Sequence, residues 1–160
     1  MTIQIDTREH ARAIKKILAT FDNLGVKHFS SKLYVGDYMS LDNPRLIIDR
    51  KQNLLEICSN LGQDLERFRA ELVRAKEAGI RVIILCEHGG GIKTMTDVLN
   101  WVNPRLKESP MAISGERLYR KMAALHRTYG VEWMFCTKAE TGRRICEILG
   151  VEGDAKTRMD

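Results

Sequence analysis

The stretch PRLIIDRKQ (44–52) decides how this chain is read. It opens on Leu46-Ile47-Ile48, the apolar run a strand carries into an interior. It then sets Asp49, Arg50 and Lys51 on the end of that run, with no turn residue between. Burying an unpaired charge is costly. The strand must therefore end where an acid and two bases find partners. Side chains alternate along a strand, so Asp49 and Lys51 share one face and Arg50 takes the other.

Outward from that strand the pattern is regular. TIQID (2–6) is a short β-type run, and 7–21 carries Ala13, Ile14, Ile17, Leu18 and Phe21 at helical spacing up to Asn23-Leu24-Gly25. Residues 26–41 alternate and predict two or three strands with tight turns, followed by a turn at Asp42-Asn43-Pro44. Helices are expected over 52–60 and 64–78, split near Gly62, with Arg67 and Glu71 as an i,i+4 pair. RVIILCE (81–87) is the most apolar strand, and HGGGIKT (88–94) a loop. Helices over 95–102 and 114–129, a strand over 131–136 and a helix from Glu140 to Leu149 that stops at Gly150 complete the pattern. The order predicts one α/β domain over 1–150, a mixed sheet flanked by helices, with 151–160 as a polar, disordered tail.

The bulk composition limits the functions. The chain has 160 residues, 44% of them apolar and 29% charged, enough to bury a core unaided. A formal charge of +5 favours a polyanionic partner. The four cysteines form no C-x-x-C or C-x-x-H pattern, which argues against zinc, and three of them sit among apolar neighbours as in a reducing compartment. With no leader and no apolar run near ~18 residues, the expected location is cytoplasmic, with no membrane span. The glycine triplet 89–91 lacks the Lys-Ser or Lys-Thr of a phosphate-binding loop.

Acids gather at strand ends. Asp6 ends the first run and Glu9 follows it; Asp37 sits in VGDY; Asp49 and Lys51 end the quoted strand. Carboxylates so placed suit Mg²⁺ or Mn²⁺, hard cations that take oxygen ligands and keep positions for water and phosphate. In this reading Asp37 and Asp49 bind metal, Asp6 and Glu9 bind or position it, and Lys51 assists the attacking water. Other readings stay open: Asp49 to Gln52 and DTRE (6–9) also fit capping boxes, and Gly36-Asp37 a hairpin turn.

IDTRE, VGDY and IIDRKQNLLEI, in that order, resemble the nuclease domain of the XPF-type structure-specific endonucleases. The resemblance covers residues 3–87 well and the rest loosely. It implies a restriction-endonuclease-like fold and a metal-dependent endonuclease acting on branched or flapped DNA in repair or recombination. Partners implied are branched DNA and either a second copy of the chain or a separate DNA-binding subunit. There are two departures. The family's Glu before Arg-Lys is Asp49 here, and its Asp four residues after the lysine falls on Leu55, with Glu56 beside it. The second departure favours a rival reading, a nuclease-like module that binds DNA or a partner without cutting.

Candidate DNA contacts are Arg8 and Arg50 beside the acids, with a structural ion pair as the alternative for Arg50. Further candidates are Arg105, Lys107, Arg117, Arg120 and Lys121 in a basic segment that ends at Arg127. Arg67, Arg69, Arg74 and Lys76 read as a solvated helix face.

Overall fold

The computed structural model describes residues 1–159, with side chains described to Gly150. The expectation of a disordered tail at 151–160 lies outside the residues whose side chains are described. The strands are β1 (Thr2–Ile5), β2 (Lys27–Ser30), β3 (Tyr38–Ser40), β4 (Asn43–Lys51), β5 (Arg81–Cys86) and β6 (Glu132–Phe135). The α-helices are α1 (Lys15–Asn23), α2 (Leu54–Leu61), α3 (Leu65–Glu77), α4 (Met95–Leu99), α5 (Gly115–Tyr129) and α6 (Thr141–Met159). Short 3₁₀ turns lie at Pro104–Lys107 and Lys138–Glu140. No helix among the described residues is long and apolar enough to cross a membrane.

The strands form one mixed sheet in the order β2-β1-β3-β4-β5-β6. Only β3 runs against its neighbours, pairing antiparallel with β1 and β4. The carboxyl ends of β1, β4, β5 and β6 therefore share one edge of the sheet with the start of β3. Strand alternation divides the core. Ile3, Ile5, Tyr38, Ile48 and Leu85 pack with Ile17 and Phe21 of α1 and Ile145 of α6. On the opposite face Ile84 packs with Leu54 and Ile57 of α2, Phe68 and Leu72 of α3, and Leu118 and Met122 of α5. Each such side chain contributes roughly 1.5–3 kcal/mol when fully buried.

The expected α/β class holds, with shifted boundaries. The first helix begins at Lys15, not at Thr7. Asp6 accepts the Arg8 N–H and Glu9 reaches across to Arg50, so residues 7–13 form turns instead. The turn expected at 42–44 is a two-residue connection, Leu41-Asp42, because Ser40 already pairs with Asn43. Pro44 sits at the start of β4, where a missing N–H is tolerated. Asn53, not Asp49, caps α2: its side chain accepts from the Glu56 N–H, and Glu56 answers by accepting from the Gln52 N–H. The expected stop at Gly150 falls inside α6.

Candidate active site

The site forms where β3 begins and β4 ends. Gly36 turns the chain into β3 with φ +73°, and a Cβ there would stand 2.1 Å from Ile47 Cγ2. Both facts require glycine. The next residue, Asp37, is locked by its backbone N–H donating to the Ile48 carbonyl at 2.9 Å. Its Oδ2 accepts from the Arg50 N–H at 2.7 Å, which holds the carboxyl over the end of β4. Asp49, 7% exposed, lies close by on the α2/α3 face. Lys51 follows on that face, its Nζ 3.5 Å from Asp49 Oδ1 and 5.6 Å from the Phe68 ring centroid. From α3, Glu71 accepts the Gly36 N–H at 3.1 Å. A cleft of about 430 Å³ opens here, lined by Lys51, Asn60, Glu71, Arg8, Arg67 and Arg74 among others. Asn60 Oδ1 is buried without a hydrogen-bond partner, an acceptor left open beside the cleft.

Burial pushes the Asp37 carboxyl well above the ordinary carboxylate range; the charges of Asp49 and Glu9 push the same way, and the Arg50 N–H opposes. Burial also raises Asp49; the Lys51 ammonium opposes it and Glu71 adds to it. For Lys51 burial favours the neutral amine, but Asp49, Glu56, Asp37 and Glu71 together outweigh it, so its pKa rises and the side chain stays cationic. Asp37 and Asp49 are thus two buried acids whose negative charge a single lysine offsets incompletely. Among the described residues no three His, Cys, Asp or Glu side chains form a metal-holding group. A pair is what Mg²⁺ commonly takes from a protein, the remaining positions going to water and substrate phosphate. Hard oxygen donors, uncompensated charge and an open acceptor nearby fit such a cation.

Residues 5–148 match the ERCC4 domain. The chain belongs to the ERCC4 domain family. The kinship with XPF-type proteins that the three motifs suggested therefore holds. The fold is similar to that of XPF from Aeropyrum pernix, with TM-score 0.65 and 23% identity over 95% of this chain and 65% of that one. It is also similar to XPF from Aeropyrum pernix in complex with DNA, with TM-score 0.67 and 22% identity over 96% of this chain and 66% of that one. The chain thus spans just under two thirds of the XPF chains it matches. No curated protein matches it.

Within this ERCC4 domain the acids expected from sequence divide into two groups. Asp37, Asp49 and Lys51 come together. Asp6 has other partners: Oδ1 accepts from the Leu33 N–H at 2.8 Å, and Oδ2 from Arg8 Nε at 2.6 Å and the Arg8 N–H at 3.1 Å. Its part is to fix the loop before β3. Glu9 also has other partners, Arg50 Nε at 2.7 Å and the Tyr38 hydroxyl at 2.6 Å.

Arg50 is a correction. Expected as a phosphate contact, it lies on the α1/α6 face with its side chain 8% exposed, between Glu9 and Glu87. The structural ion pair, the alternative reading, is what forms. Glu87 is held in turn by the Thr141 hydroxyl at 2.6 Å.

Of the basic residues, Arg8 reaches the cleft. Arg105, Lys107, Arg117, Arg120 and Lys121 do not line it; Arg105 flanks a different cleft with Leu55 and Cys58, and Arg120 pairs with Glu116 at 2.7 Å. Glu71 was missed as a site residue. The expected Arg67–Glu71 pair does not form: Arg67 turns to Asp64 and Glu71 turns inward. The available signal was the shared helix face of residues 67, 71 and 74, spaced i, i+4 and i+7.

Proposed function

We propose that this ERCC4 domain is a Mg²⁺- or Mn²⁺-dependent endonuclease that hydrolyses phosphodiester bonds in branched or flapped DNA, in repair or recombination. The observation that carries the reading is the convergence of Asp37, Asp49 and Lys51 beside an arginine-rimmed cleft. The DNA complex of the similar Aeropyrum XPF supports DNA as the partner. Asp37 and Asp49 would hold the cation, which when bound neutralises phosphate charge and makes water a better nucleophile. Lys51 donates hydrogen bonds to the charge that grows on the phosphate during attack. Arg50 and Glu71 act at one remove, because the Arg50 N–H aims Asp37 and Glu71 holds Gly36. Arg8, Arg67 and Arg74 bring the DNA backbone to the cleft.

A panel of end-labelled linear, flap, fork and four-way DNAs incubated with Mg²⁺, Mn²⁺ or EDTA tests the reading. Cutting of a branched DNA that needs a divalent cation supports it; intact DNA under every condition ends it.

A second reading, DNA binding without cutting, draws on the α2 residues. Leu55 faces the other cleft, and a Glu56 oxygen is committed to the Gln52 N–H, so α2 adds no carboxylate in the manner of the family's Asp.

A further inference from the structure

The loop that leads to β3 carries an aromatic side chain that the fold does not use. Residues 31–36 are fixed from below: Gln4 Nε2 donates to the carbonyls of Ser31 at 3.3 Å and Lys32 at 3.2 Å, and Asp6 holds the Leu33 N–H. Leu33 and Val35 are buried at 5% and 1%, so Tyr34 between them must point out, and it is 62% exposed. A large aromatic held outward on a loop so firmly tied packs against no core. Its ring nevertheless has a neighbour. The Arg74 guanidinium lies 5.9 Å from the ring centroid, and Arg74 itself lines the cleft that contains Lys51. Through Arg74, Tyr34 therefore adjoins the cleft of the candidate active site, which Arg8 and Arg67 also line.

We propose that Tyr34 is a stacking platform for an unpaired base of branched DNA, and that Arg74 and Arg67 hold the phosphates on either side of that base. The inference rests on the nuclease reading for its substrate and adds what selects the branch. A duplex keeps its bases inside the stack, where an exposed ring cannot reach their faces. A base freed at a fork or flap presents its face, and aromatic stacking accepts any of the four bases. Arginine over the far side of the ring pre-orients it and adds charge for the backbone. The ring is held in place before DNA arrives, so little ordering opposes binding. Tyr34 is then a specificity-determining residue that takes no part in bond breaking.

The test uses the full chain and Ca²⁺, with a forked duplex and a blunt duplex of matched length. The fork carries 2-aminopurine at its first unpaired position. The wild-type protein should quench the 2-aminopurine and bind the fork more tightly than the blunt duplex. Tyr34→Ala should lose the quenching and about ten-fold of fork affinity, the loss of about one base–aromatic stack, and leave blunt-duplex affinity unchanged. Tyr34→Phe should behave as wild type. Tyr34→Ala protein that quenches and binds as wild type does, or that weakens on both DNAs equally, overturns the proposal. The outcome is separable from the activity. Tyr34-dependent fork binding by a protein that never cuts in Mg²⁺ or Mn²⁺ sustains the platform and removes the nuclease reading. Cation-dependent cutting with fork binding indifferent to Tyr34 removes the platform alone.

Discussion

The backbone N–H of Arg50 donates to Asp37 Oδ2 at 2.7 Å while its side chain leaves the opposite face of β4 to lie between Glu9 and Glu87. One residue thus ties the candidate metal-binding acid to an ion-pair network on the far side of the sheet. The network gathers five segments: β4 through Arg50, the 7–13 turn through Glu9, β3 through Tyr38, the end of β5 through Glu87 and α6 through Thr141. Its charges are paired and hydrogen-bonded, which is the condition for tolerating them inside.

Removing Arg50 leaves two carboxylates facing each other without a cation. Arg50→Ala should lower stability by about 3–5 kcal/mol, the cost of breaking a buried pair from one side. Urea unfolding followed by circular dichroism gives the value. A loss under about 1 kcal/mol would mean that the network is solvated and its pairing unimportant.

Asp37 carries the opposite balance. Its charge is buried close to Asp49, so Asp37→Asn should abolish cleavage and, in EDTA, raise Tm by about 2–4 °C, the shift of ~1 kcal/mol in a chain of this size. Differential scanning calorimetry with and without Mg²⁺ checks both halves. A fall in Tm in EDTA would show that Asp37 serves the fold through its Arg50 hydrogen bond.

Asp6 predicts a change in stability without a change in metal binding. Asp6→Asn turns an amide donor toward either the Leu33 or the Arg8 donor, at a cost of about 1–3 kcal/mol. Burial raises the Asp6 pKa, but hydrogen bonds from the Arg8 side chain and the Leu33 and Arg8 N–H groups outweigh it, and the net shift is down from 3.8. A depressed folded pKa contributes stability that is complete above the unfolded value and is lost as pH falls through the folded one. Wild type should therefore lose stability as pH falls below about 3.8, and the variant should lose less over the same range. A large rise in the Mg²⁺ concentration needed for half-maximal activity would instead make Asp6 a ligand.

In the proposed reaction Lys51 acts on the phosphate only as charge grows there, so Lys51→Ala should lower single-turnover cutting strongly and DNA affinity little. Equal losses in the two measurements would reduce it to a phosphate contact.

The local patterns were legible because they depend on neighbours in sequence. Alternation alone put Asp49 and Lys51 on one face and Arg50 on the other, and the Leu46-Ile47-Ile48 and 81–87 runs marked buried strands. What escaped depends on contacts between distant segments. The local sequence of Asp6 gives no sign of its Leu33 partner, which only the approach of the 31–36 loop supplies. Glu71 looked like the partner of Arg67 until α3 packed against Gly36. The basic segment from Arg105 drew attention by charge density, whereas the cleft takes its arginines from the 6–9 turn and from α3, where charge is interleaved with acids.

Whether Asp37, Asp49 and Lys51 form a cation-dependent cutting site is tested most directly by single-turnover cleavage of an end-labelled forked duplex by wild-type and Asp49→Asn protein, each in Mg²⁺, Mn²⁺ or EDTA, at DNA concentrations where both are saturated. Wild type should cut with either cation and not in EDTA, and Asp49→Asn should cut about 10²–10³-fold more slowly, the size of effect seen when one oriented electrostatic contact to the transition state is removed. Cutting in EDTA, or Asp49→Asn protein that cuts at the wild-type rate, would contradict such a site.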